Sequence, residues 1–204
     1  MALLRLAHPT SIFFRYAARI RYAADGQVEP VVPGLVTGHG ANAFVAGQNH
    51  RDWLVEDDLK KLKNLVGHLA PNNLPPRVRR AFWYHEFAAR TEYVDVRWTL
   101  VSTALEALVH TDREQSTKQF KKRVPQLAAE VGLRSFTGGG AETAYDRRSS
   151  LAHRQGLASF SGPDRQLYDQ IESILHEALK RAVLDPTFAG VFTNETAIRK
   201  RWPL

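Results

Sequence analysis

EYVDVRWTLVSTALEALVH, residues 92–110, is the most apolar helix-length stretch of the chain. Trp98, Val101, Leu105 and Leu108 recur at three- and four-residue spacings, the period of an α-helix. A helix apolar around most of its circumference belongs at the centre of a bundle. Beside that face runs a polar stripe of Thr99, Ser102, Thr103, Glu106 and His110. A carboxylate set into such a helix is costly unless a cation pairs with it or water reaches it. Glu106 therefore calls for a partner, and Arg148 and Arg123 are the candidates. The alternative is a stripe that simply faces solvent.

Outward from this helix, other segments carry the same period. DWLVEDDLKKLKNLVGHL (52–69) places Trp53, Leu54, Leu59, Leu62, Leu65 and Val66 near helical spacings. Asp52 is positioned to cap its start, and Gly67 loosens its end. Its charge run reads as a solvated face. APNNLPP (70–76) breaks the pattern, because consecutive prolines cannot continue a helix. A second helix is predicted over Arg77–Ala89, and a further one over EQSTKQFKKRVPQLAAEVG (114–132), kinked or divided at Pro125. The glycine run 138–140 precedes YDRRSSLAHRQG (145–156), which falls on a fifth helix. PDRQLYDQIESILHEALKRAVL (163–184) is long and amphipathic, with Pro163 suited to its first turn. A basic tail, AIRKRW (197–202), follows.

Residues 1–50 differ. QVEPVVPGLVTGHGANAFVAGQ (27–48) holds two prolines and four glycines among β-branched residues, a pattern of short strands and turns. The expected architecture is an all-α bundle over 51–204 with an irregular, β-rich N-terminal segment over 1–50 that is too small for a core of its own.

At 204 residues, 44% hydrophobic and 24% charged, the composition is that of a globular protein. No apolar run reaches the roughly 18 residues that span a bilayer, so no membrane association is expected. The absence of cysteine excludes disulfides, thiol nucleophiles and thiolate metal sites, and it fits a reducing cytoplasm. His68, His85 and His176 stand apart in sequence and read as surface or core residues, so no metal site and no cofactor are expected. A net charge of +7 favours polyanionic partners, RNA among them.

One segment resists a purely structural reading: YDRRSSLAHRQG (145–156). On a helical wheel Tyr145, Ser149 and His153 share a face, with Arg148 at its edge. Arg148 and His153 lie about 140° apart, so arginine's length or unwinding near Gly156 must bring them together. His153 sits in the last turn, where the helix dipole favours its charged form. Arg147 and Arg154 are further candidates for phosphate contact; they equally suit a helix C-terminus. A guanidinium that grips phosphate and an imidazole that titrates near neutrality make a minimal kit for cleaving an RNA phosphodiester.

YDRRSSLAHRQG resembles the Y-x-x-R-S-x-x-x-H motif of the HEPN superfamily, in particular its Apea-like domains. RWTLVSTALEALV resembles that group's helix with an embedded glutamate, and FKKRVPQLAAEVG the segment that follows, with Arg123 at a recurrent arginine. The three segments keep order across roughly residues 75–184. The resemblance implies a helical bundle that forms a homodimer, with Arg148 and His153 catalytic in a metal-independent endoribonuclease of toxin–antitoxin, anti-phage or RNA-processing systems. Tyr145, Ser149, Glu106 and Arg123 would support them. Other members of the superfamily are noncatalytic, which implies the alternative of a module binding RNA, a nucleotide or a protein partner such as an antitoxin. One departure is Arg154–Gln155 between His153 and Gly156, where the family often places glycine directly after histidine.

Overall fold

The computed structural model describes residues 2–8, 16–17, 21–22, 28–29, 36–37, 54–69, 74–91, 93–112, 114–153 and 161–204. Among these, the fold is an all-α bundle of nine α-helices. They are α1 (Ala2–Ala7), α2 (Glu56–Leu69), α3 (Pro76–Arg90), α4 (Val94–Val109), α5 (Ser116–Glu130), α6 (Gly138–His153), α7 (Gly162–Leu184), α8 (Pro186–Gly190) and α9 (Glu195–Arg201). A 3-10 turn at Val191–Thr193 separates the last two. Within the N-terminal segment, β1 (Tyr16–Ala17) pairs antiparallel with β4 (Val36–Thr37), and β2 (Arg21–Tyr22) with β3 (Val28–Glu29). α1 lies in the same segment yet packs on α2, α3 and α7, with Leu6 buried.

The apolar stretch that opened the reading is the axis of the bundle. α4 packs on α3, α5, α6 and α7. Trp98, Val101, Ala104, Leu105 and Leu108 are buried along it, each large side chain stabilising by roughly 1.5–3 kcal/mol. Trp98 Nε1 donates to the Ala144 carbonyl at 3.1 Å, which satisfies the indole and pins α6 to α4. Thr99 and Thr103 return their hydroxyls to the carbonyls of Asp95 and Thr99 at 3.0 and 2.7 Å, so these polar groups are satisfied within the helix.

Several local readings are corrected. α2 begins at Glu56, not at Asp52, which lies outside the described residues with Trp53. Glu56, Asp57 and Asp58 supply the acidic first turn that the dipole favours. Asp58 is buried rather than on the solvated face, because its Oδ2 accepts from the Val55 N–H at 3.0 Å. Leu59 and Val66 are exposed; the inward stripe of α2 is the seven-residue repeat Asp58–Leu65. The glycine run lies ahead of YDRRSSLAHRQG as read, and it forms the first turn of α6. There Thr137 Oγ1 accepts from the Gly140 N–H at 3.4 Å, and a Cβ on Gly140 would meet the Phe136 ring at 3.2 Å. α5 runs undivided through Pro125, giving up one backbone bond.

α7 starts as read. Ser161 Oγ accepts from the Asp164 N–H at 3.2 Å while Asp164 accepts from the Ser161 N–H at 3.0 Å, with Pro163 in the first turn. The basic tail is docked on the bundle. Trp202 is buried against Phe188 and Phe192, and its Nε1 donates to Glu130 Oε2 at 2.9 Å. His85 and His176 do not stand apart in space: their rings meet edge to face, 6.2 Å between centroids.

Candidate functional site

Glu106 has the partner its setting demands. Arg148 projects from α6 onto α4, and its Nη1 donates to Glu106 Oε1 at 2.7 Å. Glu106 is 9% exposed as a residue. Burial raises its pKa, and the Arg148 guanidinium opposes that rise. Tyr145, one turn earlier on α6, forms a floor under the arginine, whose guanidinium carbon sits 5.6 Å from the ring centroid. Tyr145 is half-buried against Phe120, 5.3 Å between centroids, and its hydroxyl lies 3.4 Å from Ser116 Oγ. The fork is thus held by a carboxylate ahead and a ring below, a rigid placement for a side chain that otherwise samples many rotamers.

The remaining sequence candidates disperse. Ser149 is exposed on α6. Arg147 turns to α7, where Asp164 receives its Nη2 at 3.2 Å. Arg123 does not reach Glu106. It is buried, donating to the carbonyls of Val109 at 2.9 Å and Trp202 at 2.8 Å, and to Thr111 Oγ1 at 2.9 Å and Gln119 Oε1 at 2.7 Å. A guanidinium bound to the last carbonyl of α4 complements that helix's negative end, and its bond to Trp202 ties in the C-terminal tail, which is a structural role. His153 is the last residue of α6; its side chain, like Arg154 and Gly156, lies outside the described residues. The α6 backbone is helical through residue 153, which sets positions 148 and 153 about 140° apart around the helix axis.

Beside Glu106 opens a cleft of about 550 Å³ between α3 and the C-terminal half of α4. Arg77, Arg80 and Tyr84 line one wall, Thr103, Glu106 and His110 the other, and Glu195 stands at the rim. Arg77 Nη1 donates to the carbonyls of His110 at 2.5 Å and Ala107 at 3.3 Å, and its Nη2 to Glu195 at 3.2 Å, so it braces the end of α4. Arg80 has no acidic partner among the described residues.

His110 sits one turn beyond Glu106. Its Nε2 donates to the Ser116 carbonyl at 2.9 Å, which assigns the proton to that nitrogen and leaves the Nδ1 lone pair free. Its pKa is pushed down to about 4, chiefly by burial, with Arg148, Arg123 and Arg77 adding to the shift and the Ser116 bond opposing it. The ring is therefore a neutral acceptor among arginines. Sequence reasoning placed His110 on the polar stripe without a role and passed over Arg77, Arg80 and Tyr84. A signal existed: these three recur at three- and four-residue spacings, one face of α3.

No group of three or more potential metal-ligating side chains occurs among the described residues, and no helix among them is long and apolar enough to cross a membrane. No family model, curated protein or solved structure matches the chain.

Proposed function

We propose that the chain is a HEPN-type, metal-independent endoribonuclease that acts as a homodimer in the cytoplasm, with Arg148 and His153 as its catalytic pair. One observation carries the reading: Arg148 is held by Glu106 and Tyr145 beside a cleft whose walls carry Arg77 and Arg80 together with Glu106, Asp112 and Glu195. A fixed guanidinium is what phosphoryl chemistry needs, because charge develops on the non-bridging oxygens as the phosphorus becomes five-coordinate. The ribose 2′-oxygen attacks the adjacent phosphorus and the bond to the 5′-oxygen breaks. His153 moves the proton, while Arg148 stabilises the phosphoryl charge. The products are a 2′,3′-cyclic phosphate and a 5′-hydroxyl. Glu106 positions Arg148 and does not touch the substrate.

In this reading, pairing two copies brings two such motifs, each with its arginine and histidine, to one groove. A second reading, a noncatalytic module that binds RNA, a nucleotide or a protein partner, draws on the engagement of Arg148 by Glu106, which leaves part of its fork occupied.

Incubation of labelled RNA with the protein in EDTA tests the proposal. The expected result is cleavage to 2′,3′-cyclic phosphate ends, blocked by a 2′-deoxy substitution at the scissile nucleotide, from a species with twice the 23.0 kDa chain mass by light scattering. Intact RNA, or 3′-hydroxyl ends, would overturn it, and binding without turnover would select the second reading.

A further inference from the structure

We infer that the outward face of α3 is a stacking platform for single-stranded RNA, which it guides into the Glu106–Arg148 cleft. The inference rests on the proposed action on RNA and adds where the strand lies. On the α3 wheel Arg80, Trp83, Tyr84 and Phe87 fall within about 100° of one another. Trp83 is 64% exposed and Phe87 43% exposed. Their rings pack on each other in the solvent, 4.3 Å between centroids and tilted 42°. Two large aromatic rings exposed side by side form a contiguous apolar patch, the kind of surface feature that marks an interaction site.

Arginines interleave with those rings. Arg79 and Arg80 are exposed and have no acidic partner among the described residues. Glu86, the acid on this helix, is committed to Arg5 and Arg90. Arg80 stands over the Tyr84 ring at 6.0 Å, and both residues line the cleft that contains Glu106. The surface is thus continuous from Phe87 and Trp83, past Tyr84 and Arg80, to the carboxylate that holds Arg148.

The occupant follows from the charge. Single-stranded RNA offers planar bases for the rings and phosphates for the arginines, and base–aromatic stacking tolerates any sequence. A second copy of the chain meeting this face across a two-fold axis would oppose Arg79 and Arg80 to their own counterparts without a carboxylate to compensate.

Fluorescence anisotropy with a labelled single-stranded oligouridine of about a dozen nucleotides provides the test, on the full chain in EDTA, with cleavage read on the same samples. Trp83→Ala is expected to raise Kd roughly tenfold and leave the salt dependence unchanged, while Trp83→Phe retains most of the affinity. Arg80→Gln is expected to lower the slope of log K against log salt by about 0.7. Unchanged affinity in both Trp83→Ala and Arg80→Gln, with cleavage intact, would overturn the platform and spare the ribonuclease. Trp83-dependent binding without cleavage would do the reverse. A fall in solution mass with Trp83→Ala at constant affinity would assign this face to self-contact and overturn the platform.

Discussion

Removing Arg148 should destabilise the fold in a pH-dependent manner, and the geometry sets the size of the effect. Unit charges about 4 Å apart attract by about 4 kcal/mol at an effective dielectric near 20. Burial of Glu106 offsets much of this, since its carboxyl is raised despite the 2.7 Å contact. A net coupling of about 1–2 kcal/mol remains. The two halves of the pair are unequal. The Arg148 side chain is 26% exposed and can turn to water when Glu106→Gln removes the charge, at about 1 kcal/mol or less. The Glu106 side chain, 11% exposed, cannot. In Arg148→Ala its pKa rises further and the folded state holds a proton that the unfolded state releases. A carboxyl raised in the fold contributes stability below its unfolded pKa and loses it as pH climbs through the folded value. Arg148→Ala should therefore cost about 2 kcal/mol at pH 8 and clearly less at pH 5. Urea midpoints for wild type, both single variants and the double variant give the coupling directly. An equal cost at both pH values, or a coupling under about 0.3 kcal/mol, would show that the pair does not hold the arginine.

Two further outcomes are expected. Arg123→Met orphans buried acceptors at the end of α4 and should cost about 3 kcal/mol, against under 1 for the exposed Arg199→Ala, as read by denaturant unfolding; near-equal costs would refute the clamp. His85 and His110 are held neutral, with pKa values pushed down to about 3 and about 4. The unfolded chain binds protons there from about pH 6.5 downward, so stability present above that pH should fall as pH drops. His110→Gln should make the decline between pH 7 and 5 shallower by about 1 kcal/mol, discounting for partial exposure. An unchanged slope would show that His110 is not held neutral in this way.

What the sequence made legible was periodic. α4 announces itself by its apolar circumference, and α7 by Pro163 and its spacing. Glu106 was singled out because a carboxylate on such a helix needs a cation, and Arg148 was one of two named. Burial chose between them: Arg123 lies where the α4 carbonyls end, a tertiary fact that spacing does not encode. The first turn of α6 was hidden because glycine lowers helix propensity, while Thr137 and the Phe136 ring supply the start that the helix needs. The docking of the tail was not legible either, since its basic charge gives no sign that Trp202 enters a buried aromatic socket. The cleft was invisible because its walls come from two helices whose facing surfaces only packing brings together.

The most direct measurement is the rate at which Arg148→Ala cleaves RNA in EDTA, beside Arg201→Ala, an arginine engaged with Glu130 away from the cleft. The account predicts a loss of at least about 100-fold for Arg148→Ala with wild-type secondary structure, and near-wild-type cleavage for Arg201→Ala. Cleavage by folded Arg148→Ala at the wild-type rate would contradict it.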